Sequence, residues 1–282
     1  MPVLTVSLHG LTAGMPPPQD PNKDRPAKRG ACAGWTPAST RNNVAFLRSV
    51  RCESLDGYGY AITLTVKDCP EDPGEWKRLR EAVVARLRRS GLIRMHWVTE
   101  WQRRGVPHLH AAIWTRDPLN VPDLYMHWLA IAGHLGARNG GQHVAPVEDA
   151  LGWFQYVAKH SARGAGHYQR SSENVPESWR GRTGRIWGKV GEWDTRDPVK
   201  LVLDRPGWFA MRRIVKRWRV ADARASGSAR RIRYARRLLR APTLAASQVR
   251  GVSEWFPGLE SVRLVEHLIL CGYEVHQHGS VE

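Results

Sequence analysis

The sequence predicts an α+β chain: a central antiparallel sheet of split βαβ topology with helices on one face, then a mainly helical, basic C-terminal region. Three observations carry this. Between residues 58 and 162, runs of β-branched and aromatic residues alternate with runs of helical apolar spacing in the order β-α-β-β-α-β-α. From 205 to 242 there are 13 basic residues and one acid, Asp222. At 282 residues and 42% hydrophobic, the chain suits one large domain or one domain with appendages.

Residues 1–50 read as a flexible N-terminal arm, because Met15 to Lys28 is rich in proline and charge and poor in apolar residues. The folded domain is placed at 51–200. Residues 58–66, Tyr-Gly-Tyr-Ala-Ile-Thr-Leu-Thr-Val, form its first strand. A helix follows, with Asp72 as N-cap, Pro73 at N1 and Glu75 completing a capping box. Trp76, Leu79, Val83, Val84 and Leu87 share one face of it, and Ser90-Gly91 ends it. Strands at 94–102 and 107–114 are joined by the short loop Arg103 to Val106. A helix over 121–136 aligns Leu124, Trp128, Ile131 and Leu135, a strand covers 141–147, and a helix opened by Glu148 and Asp149 runs over 148–162. The first six elements give the ferredoxin-like pattern. The region 201–282 is expected to be basic and helical, with helices near 207–220, 228–240 and 261–271.

A net charge of +17 and a pI near 10.5 point to a polyanionic partner, nucleic acid before an acidic membrane surface. Only 8 of the 43 basic residues are lysine. Arginine forks onto phosphates and stacks on bases, although a GC-rich genome produces the same bias. The four cysteines have no C-x-x-C spacing, which argues against a zinc ribbon or redox motif, and their number is low for a disulfide scaffold, which makes reducing cytoplasm the default. No apolar run reaches the ~18 residues of a membrane span, and the N-terminus lacks the pattern of an export signal, so a cytoplasmic location is expected.

The most informative stretch is Glu100 to His110, Glu-Trp-Gln-Arg-Arg-Gly-Val-Pro-His-Leu-His. Side chains alternate faces along a strand, so His108 and His110 point the same way and Leu109 points into the core. A hairpin folding near Gly105 brings Glu100 opposite His110 and Gln102 opposite His108. Two imidazoles and a carboxylate suit Mn²⁺, Mg²⁺ or Zn²⁺ with open coordination positions. Gln102 is a rival third ligand or a partner to one. A second His-x-His, His276 and His278, has no such hairpin or strand context and reads as tail.

The second piece is a helix on which Tyr156, Lys159 and His160 stand at i, i+3 and i+4 and so share a face. An ammonium beside a tyrosine favours the phenolate, the form that attacks. The same spacing also occurs on ordinary amphipathic helices.

Together these pieces resemble the HUH endonuclease family. Its members carry a first strand motif, a His-hydrophobic-His strand and a helix bearing Tyr-x-x-Lys. Here these stand as Ile62-Thr63-Leu64-Thr65, Pro107-His108-Leu109-His110 and Tyr156 to Lys159, in the same order and spacing. The likeness is nearest to single-tyrosine initiators of rolling-circle plasmids and of filamentous or other single-stranded DNA phages. Gly184-Arg185-Ile186-Trp187-Gly188 is similar to a segment of those members. The resemblance covers roughly residues 58–190.

The resemblance implies that Glu100, His108 and His110 hold a divalent cation, Mn²⁺ or Mg²⁺, that polarises the scissile phosphate. Tyr156 would attack the phosphorus, leaving a 5′-phosphotyrosine and a free 3′-hydroxyl. Lys159 would position the phosphate, offset charge or lower the tyrosine pKa. Tyr168 lies beyond Gly164 and Gly166, so a single nucleophile is expected. Single-stranded DNA or an origin hairpin would be the substrate, with DNA contacts from Arg212, Arg213, Lys216, Arg217, Arg230, Arg231 and Arg233, and base stacking from Trp218 and Tyr234. The chain has no G-x-x-x-x-G-K-[ST], so a helicase and a polymerase would come from the host. A transposase of the same family would use the same motifs. A relaxase is disfavoured because its tyrosine precedes the histidines. The alternative from another class is a non-enzymatic nucleic-acid-binding module that stacks bases on Trp97, Trp101 or Trp114.

Overall fold

The computed structural model describes residues 1–15, 34–162, 168–237, 252–256 and 259–278. The chain enters through a hairpin, β1 (Val3–Ser7) and β2 (Gly10–Gly14), followed by α1 (Pro37–Ser49). Then come β3 (Tyr58–Thr65), α2 (Pro73–Arg89), β4 (Leu92–Trp101), β5 (Pro107–Thr115), α3 (Val121–Ala132), β6 (His143–Pro146) and α4 (Ala150–Ala162), in the predicted order. The remainder is β7 (Trp187–Val190), β8 (Val199–Leu203), α5 (Arg205–Ala225), α6 (Ala229–Arg237), β9 (Val252–Trp255), α7 (Glu260–Leu270) and β10 (Val275–Gln277). These elements sort into two compact units, Ala27–Thr195 and Met1–Pro26 with Arg196–Glu282. The fold is α+β with two antiparallel five-stranded sheets.

The larger unit holds the predicted sheet, in the order β6-β3-β5-β4-β7. Its first four strands have the split βαβ arrangement, and β7 extends it along β4. Asp72 caps α2 by accepting from the backbone N–H groups of Gly74 and Glu75. The expected capping box does not close, because the Glu75 carboxylate accepts instead from Glu71 N–H, one residue before the cap. Trp76, Leu79, Val83, Val84 and Leu87 of α2 are all buried, with Leu124 and Trp128 of α3, against Ile62, Leu64, Trp97, Leu109 and Ile113 of the strands. Each such side chain contributes about 1.5–3 kcal/mol on leaving water. Two of the indole N–H groups in this core find acceptors: Trp76 donates to Thr99 Oγ1 at 3.0 Å and Trp128 to the Thr65 carbonyl at 2.8 Å. Helix α3 stops at Ala132 rather than 136, and a short 3₁₀ turn at 133–135 leads to Gly136 at φ 69°.

The predicted helix layer on one face is thus α2 and α3. The opposite, more polar face is covered as well. Asn43 of α1 bonds His96 of β4 at 2.8 Å, and Phe154 of α4 and Trp193 pack on Trp114 of β5.

The reading of residues 1–50 as a flexible arm is corrected at both ends of that stretch. Val3–Ser7 and Gly10–Gly14 are central strands of the second sheet, ordered β10-β8-β1-β2-β9, with Leu4 and Leu11 fully buried. Pro37–Ser49 is a helix capped by Thr36. The strands are only five residues each, and their partners β8 and β9 come from the far end of the chain, so local pattern did not mark them. The proline-rich stretch between them lies outside the described residues. In this second unit Trp208, Met211 and Val215 of α5 and Leu264 and Leu268 of α7 are buried in one core. Besides its helices, the C-terminal region therefore supplies three strands to this sheet. Among the described residues no helix is long and apolar enough to cross a membrane.

Candidate active site

The β4–β5 hairpin places Glu100 directly opposite His108, with Val98 opposite His110. The expected register, Glu100 against His110, is corrected by two residues. The turn is tighter on the β4 side: Gln102 N–H donates to the Val106 carbonyl and Gly105 N–H to the Gln102 carbonyl, with Gly105 at φ 77°. Side chains repeat faces every two residues, so a shift of two leaves the same groups on the same face. Gln102 falls in the turn, one residue past the end of β4, and accepts from Arg104 Nε at 2.6 Å.

Glu100, His108 and His110 offer ligand atoms that all lie within 4.8 Å of one another. Among the described residues this is the only such group. His276 and His278 are exposed, and His276 lies in a strand, β10, rather than a structureless tail.

Each member of the trio is held by neighbours. His110 Nδ1 sits 2.8 Å from Thr63 Oγ1, and its Nε2 faces Glu100 Oε2 at 3.7 Å. The two imidazole rings meet edge to face, 4.5 Å between centroids. Gln169 Nε2 approaches His108 Nε2 at 3.4 Å. Glu100 is 1% exposed, and Arg170 Nε donates to its Oε1 at 2.6 Å. Burial pulls the Arg170 guanidinium below its usual pKa, and Glu100 pulls it back up by charge and hydrogen bond. Glu100 Oε2 is buried and has no hydrogen-bond partner. A buried carboxylate oxygen aimed at two imidazoles and otherwise unsatisfied is what a cation would complete, so the residues fit a divalent metal.

Tyr156 is 48% exposed on α4 and stacks on Trp153 at 5.5 Å between centroids. Tyr156 and His110 line one cavity of about 420 Å³, together with Thr63, His143 and Trp153. Nucleophile candidate and metal candidate therefore open into the same space. The side chains of Lys159, His160 and Tyr168 lie outside the described residues.

Comparison with known proteins places this site in a lineage. Residues 59–163, which hold all three ligand candidates and Tyr156, match the family described as replication-associated protein ORF2/G2P. The replication-associated protein G2P of Pseudomonas phage Pf3 is 48% identical over 270 residues, covering 94% of this chain and 96% of its own. The chain belongs to the replication-associated protein ORF2/G2P family. Two Xylella fastidiosa proteins named for replication are similar as well. That of strain 9a5c is 47% identical across 98% of this chain and 99% of its own, and that of strain Temecula1 is 47% identical across 90% and 99%. No solved structure matches the chain.

Within this family member, sequence reasoning missed Arg170, Gln169 and His143, and gave Thr63 no role. Arg170 is seventy residues from Glu100, and no local pattern links them. The segment Gly184 to Gly188 gains a structural reason: β7 pairs with β4, and a Cβ on Gly188 would meet the Trp97 ring at 2.8 Å.

The basic region divides. Arg213, Arg217, Arg230, Arg231 and Arg233 are exposed and Lys216 half-buried. Arg212 is 4% exposed and lies over the Trp208 ring, so the expectation that it contacts DNA is corrected. Its position follows the buried stripe of α5, one residue beyond Met211. Trp218 packs edge-on against Phe256 rather than standing free for bases. The side chain of Tyr234 lies outside the described residues.

Proposed function

We propose that this protein is a replication initiator that nicks single-stranded DNA at an origin by tyrosine transesterification. The observation that carries the proposal is the shared cavity, with Tyr156 on one wall and the Glu100/His108/His110 group reaching another through His110. The G2P relationship of the whole chain supports the replication setting.

The Tyr156 oxygen attacks the phosphorus of a phosphodiester held in the cavity and loses its proton to solvent. The bond from phosphorus to the 3′-oxygen breaks, and that oxygen takes a proton and leaves as a free hydroxyl. The product is a 5′-phosphotyrosine, which conserves the phosphodiester energy for religation. Glu100, His108 and His110 would hold Mn²⁺ or Mg²⁺, which when bound supplies Lewis-acid polarisation of the phosphate. Thr63 fixes the His110 ring so that Nε2, not Nδ1, faces the site. Lys159, three residues along the helix from Tyr156, is assigned to the phosphate or the departing charge. The exposed arginines of α5 and α6 track the DNA backbone. A helicase and polymerase of the host bacterium would extend the 3′ end in the cytoplasm.

A pure binding module is disfavoured by packing. Trp97, Trp101 and Trp114, the sheet aromatics it would use, are 4%, 0% and 3% exposed.

The test is a covalent-adduct assay with Mn²⁺ and single-stranded origin DNA from the replicon that encodes the chain. Wild type should give a DNA-shifted band on a denaturing gel, with the nucleotide mapped to Tyr156 by mass spectrometry. Tyr156→Phe and His108→Ala should give none. DNA binding without an adduct, unchanged by Mn²⁺ or its chelation, would overturn the reading.

A further inference from the structure

Arg170 occupies an unusual position for a charged residue in a protein expected to grip DNA with arginines. Its side chain is 0% exposed, so it makes no contact with the polyanion. Nε donates to Glu100 Oε1 at 2.6 Å, and Nη2 donates to the carbonyl of Val157 at 3.1 Å. Val157 follows Tyr156 on α4, and Glu100 is the carboxylate of the candidate metal group on β4. The guanidinium plane lies on the Trp35 ring, 3.8 Å from its centroid. The Trp35 indole N–H is fixed in turn to the Thr99 carbonyl, beside Glu100, at 2.9 Å.

A planar fork with donors at fixed angles suits holding two acceptors at a set separation, and stacking on an indole removes its remaining freedom. One oxygen of Glu100 is consumed by the fork, and the other is left facing His110. We infer that Arg170 is a positioning residue that ties the metal-ligand carboxylate to the nucleophile helix, setting the separation between the cation and Tyr156. The inference rests on the nicking function proposed above. A lone charge-balancing partner for a buried Glu100 would need neither the contact to Val157 nor the ring beneath it.

The test separates the tie from the charge. Arg170→Gln should lower Mn²⁺ affinity by about 10–100-fold, as loss of a ligand's supporting hydrogen bond does. Arg170→Lys keeps the charge and can reach Glu100, but it has no fork with which to span to Val157. It should recover most of the Mn²⁺ affinity yet remain about a hundredfold slow in adduct formation at saturating Mn²⁺, the cost of misplacing reacting groups by about an ångström. Affinity is read by calorimetry, and the folded fraction by circular dichroism of the same samples. An Arg170→Gln protein that binds Mn²⁺ and forms adduct as wild type does overturns the inference, as do losses that track only its unfolded fraction. So does a lysine variant that restores both quantities together. A second arm needs no variant. In the wild-type chain, Mn²⁺ should slow amide exchange around Tyr156 on α4 as well as in β4 and β5; protection confined to the strands would sink the tie. A wild type that binds no Mn²⁺ would instead remove the proposed function, and the same titration reports it.

Discussion

Thr63 Oγ1 lies 2.8 Å from His110 Nδ1, across a strand pair in which the two residues are directly opposed. The contact leaves Nε2 toward Glu100. Thr63→Val preserves the branched shape and removes the hydroxyl, so Mn²⁺ affinity should fall about tenfold while the melting temperature barely moves. Thr63→Ser should retain the affinity. Calorimetric titration of the three proteins checks it, and an unchanged valine variant would mean that packing alone sets the ring.

Gly188 faces Trp97 across the β4–β7 pair, and Arg80 covers the same indole at 3.8 Å. An added methyl would meet ring atoms at 2.8–3.1 Å. The indole is buried among α2 and the strands and has little room to yield. Gly188→Ala should therefore cost about 1–3 kcal/mol, read as a lower urea midpoint with an unchanged slope.

His96 is fully buried and bonded to Asn43, and desolvation, helped by the charge of Arg170, lowers its pKa from 6.5 to about 3. The folded chain refuses a proton that the unfolded chain accepts below 6.5. Stability from this residue is thus full above pH 6.5 and falls as pH drops from there toward 3, by about 1.4 kcal/mol per unit. Urea unfolding at pH 7 and pH 5 should show the loss, and His96→Gln should flatten it. The same slope in the variant would place the acid sensitivity elsewhere.

Arg213 and Arg217 are exposed on α5, whereas Arg212 is buried against Trp208. Arg213→Ala and Arg217→Ala should each reduce the slope of log affinity against log salt by about 0.7–1, with little change in melting. Arg212→Ala should leave the slope and lower the melting temperature. Fluorescence anisotropy over a salt series, paired with thermal unfolding, distinguishes the three; equal salt slopes in all would remove α5 from the DNA-contacting surface.

Trp76, Leu79, Val83, Val84 and Leu87 declare a helix and its buried face by spacing alone. His108, Leu109 and His110 declare a strand with polar groups on one side. Glu100, His108 and His110 share a face in the expected hairpin register and in the observed one, two residues away, because faces repeat every two. The hairpin Val3–Ser7 and Gly10–Gly14 was illegible for the opposite reason: strands this short become central only when β8 and β9 arrive to pair with them.

By itself, then, the sequence determined the order of elements from β3 to α4, the face each of them presents, and which residue types, Glu100, His108, His110 and Tyr156, stand at the candidate site. These follow from period and residue type, which act over a few residues. Only the tertiary structure decided which arginines meet solvent, what orients each ligand, and that Arg170 bridges Glu100 to the helix of Tyr156. Those are contacts between residues distant in sequence, and burial and hydrogen bonding between distant groups are fixed when the chain closes on itself, not before.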